Sequence, residues 1–124
     1  MNAESENPQL DAAAVARLHD LDPDGRHGVV RRVLTAFEAS LERMLVQFTA
    51  EQSNGRADVV SGLAHTLKSS SASVGALALA KACAEAEQRL RNAASDDLGA
   101  EVLLLTRECK LALAAVRAIL QAPL

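Results

Sequence analysis

The residues of this 124-residue chain best suited to chemistry lie in one short run, AHTLKSSSASVGA from Ala64 to Ala76, where an imidazole precedes an ammonium by three positions. A free imidazole titrates at about 6.5, so near neutral pH much of it is uncharged and nucleophilic. Three residues make nearly one helical turn, so on a helix His65 and Lys68 share a face and the lysine can neutralise an anion brought to the ring. The other neighbours on that face are small: Ser61 and Gly62 one turn before, Ser69 one turn after, Ala72 beyond. With Ala64 beside the ring, they form a low platform over which another macromolecule's active site could close. Glycine inside a helix costs about 1 kcal/mol relative to alanine, so Gly62 suggests a steric need at that face.

The elements that must position this pair follow from apolar spacing and turn residues. Residues 1–9 are polar and read as a flexible tail, and Asp11 is placed to cap a short helix running to about Leu21. Asp22-Pro23-Asp24-Gly25 ends that helix. From about Arg26 to Gln52, apolar residues including Leu34, Phe37, Leu41, Met44 and Phe48 recur at three- and four-residue steps. Ser53-Asn54-Gly55 makes the next turn, and a third helix is predicted from about Arg56 to Val74, with Gly75 as its C-terminal cap. A fourth runs from about Ala76 to Asn92, and Ser95-Asp96-Asp97 offers capping oxygens to a fifth, about Asp96 to Leu120. No segment alternates with period two. The pattern predicts an all-α antiparallel four-helix bundle with a short additional N-terminal helix over residues 10–121, followed by a C-terminal tail at 122–124. A helical wheel places Val59, Val60, Leu63, Leu67, Ser70 and Val74 in one buried sector, with His65 roughly 200° away and facing water.

Composition narrows the function. Apolar residues make up 49% of the chain but aromatics only 2%, which favours an Ala, Leu and Val core. The net charge of −3 and the dispersed basic residues argue against nucleic acid as a partner, and no apolar run approaches a membrane span. The first residues carry no secretory signal, so a cytoplasmic, free-standing protein is expected. Cys83 and Cys109 each sit in an apolar helical stretch and read as core fillers; His65 has no companion ligand at metal-binding spacing. His19 and His27 read as ordinary surface residues. Glu85 and Glu87, two positions apart, cannot form a close carboxylate pair on one helix face.

The run His65-Thr66-Leu67-Lys68, followed by Gly75 and then Leu79, Cys83, Glu85 and Glu87, resembles the core of histidine-containing phosphotransfer (HPt) domains of bacterial two-component phosphorelays. Their pattern is H-x-x-K-G, a second glycine, and an apolar helix bearing glutamate. The likeness extends from Leu10 through the Leu21-to-Gly25 turn and the long helix before the histidine. It implies that His65 carries a phosphoryl group, that Lys68 stabilises it, and that Ser61, Gly62, Ala64, Ser69 and Ala72 lie under the docked partner. The outer face of the third helix and the adjoining part of the second would form that docking surface, with Arg31 and Arg32 either adding charge at its periphery or serving as plain solvated helix surface. The implied partners are receiver domains of response regulators and of a hybrid sensor histidine kinase. The chain would need no cofactor of its own, with Mg²⁺ on the receiver, and would act as a monomeric carrier rather than a kinase. Ser69 departs from the family, which usually has glycine after the lysine; its hydroxyl could hydrogen-bond the phosphoryl group or the ring. The competing reading is an HPt-like helical adaptor that binds a receiver or sensor kinase without carrying phosphate.

Overall fold

Asp11 does what its context predicts: its carboxylate accepts the Ala14 amide at 3.0 Å and starts the first helix. Five helices follow in the computed structural model, which describes residues 10–92 and 97–122. They are α1 (Ala12–Asp20), α2 (Val29–Asn54), α3 (Ala57–Ser73), α4 (Leu77–Arg91) and α5 (Leu98–Gln121). The described residues contain no strand. The most extensive packing is α3 on α4 and α2 on α5, and the α4–α5 and α2–α3 contacts close these pairs into a four-helix bundle with α1 against α2. Asp97 caps α5 through the Ala100 amide at 2.9 Å, whereas Ser95, Asp96 and both predicted terminal tails, apart from Ala122, lie outside the described residues.

The long helix begins three residues later than the spacing predicts, and Asp22 is the reason. Its side chain is buried and accepts the amides of His27 at 3.0 Å and Val29 at 3.2 Å, so the chain turns around the carboxylate before helix can start. Burial works against the charge, but these backbone hydrogen bonds together hold the Asp22 carboxyl below its ordinary range.

The core is mostly aliphatic, as the composition requires, with Phe37 and Phe48 its aromatic members. Leu34, Leu41 and Phe48 of α2 meet Val60 and Leu67 of α3, Leu79 of α4, and Val102, Leu105 and Val116 of α5, all fully buried. Each such side chain contributes about 1.5 to 3 kcal/mol on burial. The buried arc of α3 is rotated from its predicted position. Ala64 and Ser71 are fully buried while Val59, Leu63 and Ser70 are half-buried, in a helix that packs most extensively on α4.

Gly75 does more than cap α3. Its φ is +83°, its carbonyl accepts the Asp11 amide at 2.6 Å, and a Cβ there would come within 2.6 Å of the Ala14 Cβ. The α3–α4 turn is thus the seat on which α1 docks.

Candidate functional site

The rotation of α3 decides where the imidazole sits. Measured from the observed buried arc, His65 lies roughly 130° around the helix, on the flank that overlooks α4. Its side chain remains 62% exposed, but the ring is anchored: Nδ1 lies 2.8 Å from Oε2 of Glu87 on α4. Lys68 donates to the other carboxylate oxygen at 3.0 Å, and Arg91 donates to Oε2 at 3.2 Å from one turn further along α4. One carboxylate, 7% exposed, therefore gathers three side chains from two helices.

The electrostatics are self-consistent. The Lys68 hydrogen bond is the strongest influence on Glu87 and, with the contact to His65, outweighs desolvation, so the carboxyl lies below its ordinary range. An ionised carboxylate can only accept, which assigns the proton of the neutral imidazole to Nδ1 and leaves the Nε2 lone pair free. The Nε2 edge is the one not tied to α4. Beside the ring lies an open depression bordered by Asp58, Ser61 and Gly62 of α3 and by Leu90 and Arg91 of α4.

Ser61, Gly62, Ser69 and Ala72 all retain solvent exposure on α3. A Cβ at Gly62 would meet nothing within 4 Å, so no steric need inside the protein explains this glycine. Ala64 is a correction. It is fully buried against the core and cannot touch a docked partner, because the rotation of α3 carries it inward. Lys68 stands one turn from His65, half-exposed, with its ammonium paired to Glu87. The described lining of the depression comes from α3 and α4, and no α2 residue borders it. Arg31 reaches the carbonyl of Leu120 at 2.9 Å, at the C-terminal end of α5, and Arg32 is exposed near the same end of α2.

Spacing did not reveal Glu87 or Arg91 as members of the site. A signal existed: Glu87 falls among Leu79, Cys83, Ala86 and Leu90 on the core-facing side of α4, and a carboxylate placed there must find donors. Which helix would supply them depends on the α3–α4 register.

A family model, the Hpt domain, matches residues 32–119. The chain belongs to the Hpt domain family. Among solved structures, this Hpt domain is similar to the crystal structure of histidine-containing phosphotransfer protein B (HptB) from Pseudomonas aeruginosa PAO1. The two share 25% identity over 94% of this chain and 97% of that one, with a TM-score of 0.79. No curated protein matches the sequence. The family match and the fold agree with the resemblance carried by His65, Lys68 and Gly75, and the match runs from the first turn of α2 to the last turn of α5, beginning after α1.

Proposed function

We propose that this Hpt domain is a phosphorelay intermediate that takes a phosphoryl group onto His65 from a receiver-domain aspartyl phosphate and passes it to the receiver domain of a response regulator. The observation that carries this reading is the ring itself, open to solvent at 62% yet held through Nδ1 by a buried carboxylate. That arrangement fixes the tautomer and orientation of a nucleophile without covering its reactive nitrogen.

In the forward step the Nε2 lone pair attacks phosphorus and the bond from phosphorus to the aspartyl oxygen breaks, its electron pair leaving with the aspartate carboxylate. The Nδ1 proton stays in place, so the ring becomes a phosphoimidazolium whose positive charge lies against Glu87. Reversal onto a second aspartate returns a neutral imidazole, and no proton need be exchanged with solvent. Phosphoryl transfer depends mainly on in-line positioning and charge stabilisation. Glu87 supplies the first by holding the ring, and Lys68 can swing from Glu87 to a phosphoryl oxygen for the second. The receiver brings the acceptor aspartate and its Mg²⁺, and docks over Ser61, Gly62, Ser69 and Ala72 and the adjoining end of α4.

The test is to mix the protein with a labelled phospho-receiver and follow label onto the wild type and the His65→Gln variant. Acid-labile, base-stable label on the wild type alone is expected. An unlabelled wild type across a panel of receivers it binds would favour the adaptor reading.

A further inference from the structure

We propose that Asp58 selects the partner: its carboxylate receives a basic side chain of the docked receiver in the depression beside His65. This deepens the phosphorelay reading above and rests on it. Asp58 stands in the first turn of α3, seven residues before His65. Seven residues bring the helix round to within roughly 20° and about 10 Å along its axis, so the two side chains share one face. Both line the depression, and Asp58 is exposed there.

The neighbouring charges already have partners. Glu87 is held by His65, Lys68 and Arg91. Arg56, at the start of α3, donates through Nε to Glu51 at 3.2 Å and is attracted to Asp58 only through space, the least of the influences on its guanidinium. Among the described residues no hydrogen bond or ion pair engages Asp58. Its place near a helix N-terminus favours an acid in that turn, but does not account for the recess beside it. The recess is kept open by Gly62, where a Cβ would meet nothing within 4 Å. Glycine weakens a helix interior, and here the protein's own packing does not ask for it. Room at that point serves something that arrives from outside. An aliphatic stem with a cationic head fits the lining, the stem over Gly62 and Leu90 and the head at Asp58. Charge fixes the sign of the visitor: Lys68 and Arg91 share the single charge of Glu87, so Asp58 is the carboxylate left to meet a cation. A phosphoryl group on His65 adds about two negative charges to the same depression, so the attraction is strongest when the carrier has phosphate to deliver.

The experiment phosphorylates the full chain with phosphoramidate, a small donor that needs no docking, and follows delivery of the phosphoryl group to a panel of receiver domains at low and high salt. Wild type, Asp58→Asn, Asp58→Glu and Asp58→Lys are compared, and urea denaturation checks that each is folded. For receivers served by the wild type, the ratio of the transfer rate to the phosphoramidate labelling rate is expected to fall about three- to tenfold in Asp58→Asn at low salt. Asp58→Lys should fall further and reorder the panel, Asp58→Glu should recover most of the loss, and high salt should narrow the differences. A ratio unchanged in Asp58→Asn and Asp58→Lys, or lowered without any dependence on salt, overturns the role of Asp58 and leaves the carrier reading intact. Self-association of the wild type in sedimentation, abolished by Asp58→Lys, gives the depression to a second copy and overturns it likewise. A wild type that takes no phosphate at His65 from phosphoramidate or from any receiver overturns both.

Discussion

Glu87 gives two oxygens to three donors, and this economy makes it the residue on which the site turns. Glu87→Ala removes the anchor of the ring and the resting partner of Lys68 together, and transfer from a phospho-receiver is expected to slow by about tenfold or more, as for loss of a positioned catalytic hydrogen bond. Glu87→Gln keeps an acceptor for Nδ1–H but not the charge opposite the phosphoimidazolium, so its rate should fall between the two; equal rates in stopped-flow transfer would remove the charge from the mechanism. Acid stability reports on the same group. The folded Glu87 carboxyl lies below its ordinary value of 4.5, chiefly through Lys68, so its stabilising contribution is complete above that value and is lost as pH falls through the lower folded one. Glu51, held low by Arg56, and Asp22, ordinarily at 3.8, act in the same direction. Urea midpoints between about pH 3 and 7 should decline on the acid side, and less steeply in Glu87→Gln than in wild type.

At the scale of elements, two glycines that look alike in the sequence have opposite roles. Gly75→Ala forces a side chain into a left-handed φ of +83° and onto Ala14, so it should destabilise by about 2 kcal/mol or more and loosen α1, measurable by denaturation and by hydrogen exchange in α1. Gly62→Ala lies in a helix interior with open space around it and should stabilise α3 by about 0.5 to 1 kcal/mol. The informative substitution is Gly62→Leu. It should leave the fold and phosphoramidate labelling intact while slowing transfer from a receiver by about tenfold, since one bulky side chain can hold two macromolecular surfaces apart. Equal slowing with both donors would place Gly62 outside the docking surface. The face of α3 that carries His65 was readable from apolar spacing only approximately. Periodicity marks which residues avoid water, but Ala and Ser are neutral in that respect, so Ala64 and Ser71 could not announce that they are buried.

The molecule as a whole is tied by a few ion pairs around its aliphatic core. Arg89 of α4 reaches both carboxylate oxygens of Glu101 on α5 at 2.7 Å, and Arg117 of α5 reaches Glu38 and Glu42 on α2 at 3.0 and 2.6 Å. These links brace the helices that back α3 and α4, so the register setting His65 against Glu87 is supported from behind. Burial pushes the thiols of both Cys83 and Cys109 up to about 12. Neither is expected to react with a thiol-specific reagent in the native protein at pH 8, and both should become reactive together along the urea unfolding transition. Labelling of one thiol well before that transition would show that α4 or α5 opens locally. Among the described residues no helix is long and apolar enough to cross a membrane.

What the sequence determined by itself was local and periodic: the helices, the cap at Asp11, the capping cluster Ser95-Asp96-Asp97 ahead of α5, the exposure of His65, and the one-turn spacing to Lys68. These follow from residue type and from 3.6 residues per turn, which need no neighbour to be read. Tertiary structure alone decided the site's second half. Glu87 and Arg91 stand 22 and 26 positions beyond His65, and they join it because α4 folds back on α3 with a register set by core packing and by the turn at Gly75. Helical spacing carries no information about which turn of one helix faces which turn of the next. For the same reason the sequence shows Lys68 beside His65 but not the carboxylate that holds it, a group that burial would not tolerate without donors.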